Sequence, residues 1–377
     1  MLCITALFLA LAPAAQMRYD THGTTNAEDL HIMKLNTQYA IERTMELLKV
    51  DSPTGYTQNV TDMLLDQLRG LGFSPVRTRK GCVVCPLGGQ GRPLTLAAHV
   101  DTLGLMVRQI KPDGRLAFTA LGGPSLQAVE TENVTVITRD GKRFTGVVEL
   151  KNASKHVNRE LDSEARNDAS LEILLDEEVF NQQAVQDLGV AVGDVVCLNP
   201  RARVTSSGFI RSRFLDDKLS AGMLLALAKG VACGEVRLAR ETALFFSVYE
   251  EVGHGASAGI PGQTEDLLVV DMGCVGEGLS CREQQVSICA KDSSGPYDYS
   301  MTGELISLAK ENAIDYAVDV YPAYGSDAGA ALRSGMDIRC ALIGAGVYAS
   351  HGYERSHIRG VENTLRLIEA YVERPVN

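Results

Sequence analysis

The chain has 377 residues, of which 45% are hydrophobic and 22% charged, and it carries a net charge of −11. That length buries a core without disulfide or metal staples and corresponds to two domains, or to one large domain with an insertion. The acidic balance speaks against a nucleic-acid binder, which needs a basic surface. The nine cysteines are odd in number and scattered, which reads as reduced thiols in a cytoplasmic protein rather than a disulfide framework. Cys82 and Cys85 form a CxxC without a second pair, so they read as plain thiols beside a strand and not as a zinc site.

Residues 1–15 carry an apolar run ending in small residues, like the core of a secretory signal. The run is too short to span a bilayer and lacks the leading Lys or Arg of a signal. The reading adopted is an over-extended start, with Met33 the initiator, residues 1–32 an unstructured extension and the protein cytoplasmic. The alternative is an exported chain cut near Gln16.

From residue 37 to about 50, Ile41, Met45 and Leu48 fall at helical spacing, and Pro53 and Gly55 then break the chain. Val60, Met63, Leu64, Leu68 and Leu71 mark a second amphipathic helix. Short apolar runs at 94–100, 243–248, 267–272 and 338–343 read as buried strands, and helical stretches fall at about 218–231, 303–313 and 361–372. Strands alternating with helices imply an α/β fold with a mostly parallel sheet flanked by helices. Residues 108–207 break that rhythm with short β segments and turns, such as 134–138 and 144–150 around Asp140-Gly141. They read as a small β-rich domain inserted between the two parts of the α/β domain, 33–107 and 208–377. The sequence holds no evident internal repeat, low-complexity tract or membrane span.

Polar groups able to ligate metal follow the apolar runs, and in open α/β sheets ligands bind outside the carboxyl ends of the strands. His99 and Asp101 lie two apart, so they project to one side of a strand end and the Asp can orient the imidazole. Alone, such a pair is more often structural. Asp216 and Asp217 are adjacent carboxylates at a helix start, where the helix dipole relieves only part of their repulsion. Glu250 and Glu251 directly follow a buried strand, where a pair of glutamates is costly unless a cation lies between them. Asp271 ends another apolar run, and residues 350–357 contain His351 and His357, two of only seven histidines. Each has a plain structural alternative. Five such groups in one chain, each after an apolar run, point to a metal centre.

In order, Ala97-Ala98-His99-Val100-Asp101, Leu215-Asp216-Asp217-Lys218, Glu250-Glu251-Val252-Gly253, Val270-Asp271-Met272-Gly273 and residues 351–357 resemble the metal-binding series of the M42 metallo-aminopeptidases, the glutamyl-aminopeptidase or TET-like group. Ser52-Pro53-Thr54-Gly55 and Gly325-Ser326-Asp327-Ala328 resemble further segments of that family, and the likeness runs from about Met33 to the end. The ending His-Gly-Tyr-Glu-Arg-Ser-His also resembles a subgroup associated with a dipeptide osmoprotectant. The resemblance implies a zinc-peptidase-like fold, an inserted β-barrel that aids oligomerisation, assemblies of up to twelve subunits, peptide substrates and two zinc or cobalt ions. Carried over by position, it implies His99 and Asp271 on one ion, Asp216 bridging both, and Glu251 and His357 on the other. It also implies Asp101 behind His99 and Glu250 as the general base. Asp216 is taken over Asp217, and His357 over His351, on the family pattern alone. Thr102 departs from the glutamate that often follows the first motif. The expected reaction is hydrolysis of the N-terminal peptide bond. The rivals are a deacylase or carboxypeptidase with the same centre, and a metal-stabilised assembly protein without turnover.

Overall fold

A computed structural model describes residues 34–375. The expectations for residues 1–32 lie outside the described residues. The described residues belong to one compact unit.

The apolar runs do form the centre of the sheet. Strands Thr242–Ser247, Leu94–His99, Asp266–Val270 and Arg339–Tyr348 lie side by side and parallel, in that spatial order. All six residues of Leu94–His99 and all five of Asp266–Val270 are buried, as expected for strands covered on both faces. The sheet as a whole is mixed. Val83–Gly88 pairs antiparallel with Thr242–Ser247 on one side, and Val286–Asp292 pairs antiparallel with Arg339–Tyr348 on the other. The last parallel strand also runs to Tyr348, five residues beyond the apolar stretch 338–343, because Gly344, Ala345, Gly346 and Val347 are small or apolar enough to stay buried.

Helix Leu215–Ala232 is apolar nearly all round and buried along most of its length, so it sits inside the molecule rather than on it. Its Gly222 faces helix Thr37–Leu47, where a Cβ would strike the Thr44 hydroxyl and the Ala40 carbonyl. Lys218, 1% exposed, donates from Nζ to the carbonyls of Leu47 (3.0 Å) and Val50 (2.7 Å), so a buried ammonium satisfies the end of that helix. Burial pushes its pKa down to about 7.

The irregular stretch folds as a closed six-stranded antiparallel barrel, in the order Gly104–Ile110, Leu116–Leu121, Leu171–Leu175, Arg143–Leu150, Asn133–Ile137 and Val195–Leu198. Its strands begin at Gly104 and end at Leu198, while Arg203–Val204 and Phe209–Ser212 belong to the large sheet beside Glu354–His357. Closure leaves the barrel without an open strand edge. No helix among the described residues is long and apolar enough to cross a membrane.

Candidate metal centre

The carboxyl ends of the four parallel strands converge on one cavity of about 470 Å³, lined by Asp216, Glu250, Glu251, Asp271 and His351 among others. His99 ends its strand, Glu250 and Glu251 follow Ser247, and Asp271 follows Val270. Asp271 fits there because Gly344, on the neighbouring strand, has no side chain. A Cβ at that position would overlap the Asp271 carbonyl. Phe214, Tyr249, Ala349 and His351 adopt left-handed backbone conformations, φ 58–68°. Such conformations are uncommon outside glycine and cluster at functional sites.

Asp216 lies at the middle of the group. Its Oδ1 is 3.0 Å from His99 Nε2, and its Oδ2 is 3.6 Å from His351 Nε2. His351 Nε2 is also 3.6 Å from Glu251 Oε2. Both imidazoles are oriented the same way. His99 Nδ1 donates to the Asp101 carbonyl at 3.0 Å, and His351 Nδ1 donates to the Gly123 carbonyl at 2.9 Å. A carbonyl only accepts, so each Nδ1 carries a proton and each Nε2 points toward the carboxylates, where it would offer its lone pair to a bound cation, the posture of a ligating histidine.

His357 lies elsewhere. Its Nδ1 accepts from the Arg359 backbone N–H (3.0 Å) and caps helix Ile358–Glu373, while Nε2 donates to the Ser207 carbonyl (3.0 Å). Its ring also meets Phe209 edge-on at 4.8 Å. Both nitrogens are occupied and neither faces the cavity. The histidine brought to Asp216 and Glu251 is therefore His351, a correction to the expected set.

Asp101 is fully buried and touches several parts of the site. It accepts from the Thr54 hydroxyl (2.7 Å) and from the backbone N–H groups of Glu250 (3.1 Å) and Glu251 (3.4 Å), and it lies 3.6 Å from His99 Nδ1. It holds the turn that carries both glutamates. Sequence reading missed Glu354. Its two oxygens accept from the backbone N–H groups of Asp216 (3.1 Å) and His351 (3.1 Å), so one carboxylate sets both residues. It also overlooked the part played by Asp327, which accepts from the Ser247 hydroxyl and the Ala256 N–H.

Burial, reinforced by neighbouring carboxylates, pushes Glu250, Glu251 and Asp217 well above the usual range and Asp271 to about 7. Burial opposes ionisation of Asp216 too, but the hydrogen bond and charge of His99, with the charge of His351, hold it below its usual value. Two buried carboxylate oxygens, Asp217 Oδ1 and Glu251 Oε1, have no hydrogen-bond partner among the described residues. Each belongs to a residue of a different potential ligand group, His99 with Asp217 and Asp271, and His99 with Asp216 and Glu251. Crowded acids, two orphaned oxygens and two imidazoles aimed by carbonyls fit divalent cations, which offset the repulsion and accept the free lone pairs.

The barrel reaches into this arrangement. Besides the Gly123 contact, the Ser125 N–H donates to the His351 carbonyl (2.9 Å). Arg213, 2% exposed, pairs with buried Glu132 at 2.6 Å and donates to the Gly352 carbonyl at 3.2 Å. Removing one partner of a buried pair strands the other charge. Arg213→Ala should cost about 3 kcal/mol, the low end for such pairs, because Arg201 still reaches Glu132 at 3.0 Å. Denaturant unfolding measures it, and a loss within 0.5 kcal/mol, on the order expected of a surface change, would remove this tie.

The profile of the family described as M42 glutamyl aminopeptidase matches residues 81–367. The chain belongs to that family. It is accordingly a metal-dependent aminopeptidase, a hydrolase. It is 42% identical over 343 residues to the Bacillus subtilis (strain 168) protein named "Putative aminopeptidase YhfE", covering 89% of this chain and 99% of that one. The fold is similar to the TET aminopeptidase of the marine sediment archaeon Thaumarchaeota archaeon SCGC AB-539-E09, with TM-score 0.80 and 20% identity, over 89% of this chain and 97% of that one. It is also similar to the Pyrococcus horikoshii TET1 peptidase, which assembles into a tetrahedron or a large octahedral shell, with TM-score 0.77 and 21% identity, over 88% of this chain and 99% of that one.

Proposed function

We propose that this M42 enzyme removes the N-terminal residue of peptides with two divalent cations, zinc or cobalt, and with Glu250 as the proton carrier. The observation that carries this reading is the position of Asp216, whose two oxygens face two different imidazoles, His99 and His351. A carboxylate so placed suits a bridge. His99 and Asp271 would complete one side, with Asp217 beside them, and Glu251 and His351 the other.

Bound cations of this kind polarise a carbonyl and lower the pKa of water. The protein's own residues supply the rest. Glu250 lines the cavity, and its Oε2 stands 3.8 Å from His99 Nε2. Its carboxylate takes a proton from the attacking water and passes it to the departing amine. Asp101 holds Glu250 in place through the backbone N–H of that residue. An acidic cavity also favours the ammonium of a free N-terminus over an acylated one.

Assembly into a homo-oligomer is part of the proposal, supported by the shells that the P. horikoshii relative forms. A cytoplasmic setting is supported by the eight cysteines of the described residues, all of them free. Metal counting on stripped and reloaded variants tests the ligand assignment. His351→Ala should lose about one of two ions per subunit. His357→Ala should keep both and lose only the roughly 1 kcal/mol worth of a helix cap. The reverse pattern would return His357 to the site.

A further inference from the structure

Strands Arg203–Val204, Phe209–Ser212 and Glu354–His357 lie side by side in the large sheet, and their register sets three arginines in a row. Arg203 is directly opposite Arg211, and Arg211 is directly opposite Arg355. Directly opposite residues share a face with Cβ atoms about 5 Å apart, where like charges are destabilising. Arg355 is neutralised by Glu283 at 2.6 Å. The guanidinium groups of exposed Arg203 and half-buried Arg211 form no hydrogen bond or ion pair among the described residues. Arg211 instead lies over the Tyr353 ring, with Cζ 4.9 Å from its centre, and Arg201 covers the same ring at 4.3 Å. Contact through the flat of a guanidinium leaves its N–H edges open. Arg201 brings no spare negative charge, since the Glu132 it pairs with is already held by Arg213. The result is a local excess of positive charge in a chain whose net charge is −11. A charge on a short edge strand discourages pairing with another chain. That accounts for Arg203 but not for Arg211, one strand further in.

We infer that Arg203 and Arg211 form a binding site for a tetrahedral dianion of the phosphate class. Two guanidinium groups without counter-ions match two negative charges, and forks on adjacent strands reach one tetrahedral oxyanion together. A single carboxylate would leave one of the two charges unmatched. The site lies on the opposite face of the sheet from the metal centre. Along Glu354–His357, Arg355 faces the arginine row, whereas buried Glu354 turns the other way to hold Asp216 and His351. The dianion is either free inorganic phosphate or the phosphoryl group of a small ester.

Titration calorimetry of the metal-loaded enzyme at fixed ionic strength, with sodium phosphate and with glycerol phosphate, tests the site. At least one of the two should bind the wild type, and the tighter one names the source of the dianion. Arg211→Gln should weaken that binding by about 10–100-fold, the worth of a hydrogen bond to a charged group. Arg203→Gln should do the same. Its side chain is exposed on an edge strand, so this variant keeps the test open should Arg211→Gln fail to fold. Binding of the wild type should also weaken as salt is raised. No binding of either probe to the wild type would overturn the assignment. Unchanged affinity in both variants would overturn it too, by placing the anion on the metal ions instead.

Discussion

Glu250→Gln should retain both metal ions and its melting temperature while losing turnover by about 10²–10⁴-fold, the usual contribution of a positioned acid-base group. Gln keeps the shape of Glu but cannot take the proton from water. The residue lies at the mouth of a buried strand with its side chain 14% exposed, so it reaches the cavity without being needed by the core. Burial first, then the charges of Asp271, Asp327 and Asp216, raise its pKa well above the ordinary value. Amidation removes a crowded acid, so no large loss of stability accompanies it. If Glu250 were a structural carboxylate, Gln would move the melting temperature more than the rate. Metal content, melting temperature and kcat on this single variant separate the two roles.

The second large effect concerns Asp216. Asp216→Ala removes the group placed between His99 and His351, and two cations would then face each other across a gap. Metal affinity should fall by more than about 100-fold at one or both positions. That exceeds the loss typical of a residue merely supporting a ligand, and activity should fall with it. Asp217→Ala is the informative companion. Asp217 Oδ2 accepts from the His99 backbone N–H at 3.1 Å, so its loss disturbs the end of the strand that carries His99. Full occupancy of both positions in Asp216→Ala, measured by metal analysis, would move the bridge to Asp217.

Much of the centre was legible in the chain because each strand end combines a largely buried, mostly apolar run with a polar residue that the core does not call for. His99, Glu250, Glu251 and Asp271 all carry that signature, and the structure brings them together. The second histidine was not legible by motif, since His351 and His357 share one short segment. Strand alternation held the answer. In Glu354–His357, Glu354 and Ser356 are buried while Arg355 and His357 lie on the other face. With Glu354 turned inward to Asp216, His357 points away. Glu354 and Arg213 escaped notice for a different reason. Their partners lie 138 residues away in Asp216 and 81 residues away in Glu132, and no local pattern announces contacts of that range. The parallel core was readable from its all-apolar strands, whereas the antiparallel flanks depend on pairings that composition does not encode. The barrel was evident as a change of rhythm, but its first strand, Gly104–Ile110, follows His99 so closely that the change is masked.

The most direct test is amino-acid release by metal-stripped protein before and after zinc or cobalt is restored, on one peptide in three forms: unblocked, N-acetylated and C-terminally amidated. The account predicts no release without metal. With metal restored, the N-terminal residue should leave the unblocked and amidated peptides and not the acetylated one. Release from the acetylated form, release of the C-terminal residue, or turnover by the stripped protein would contradict it.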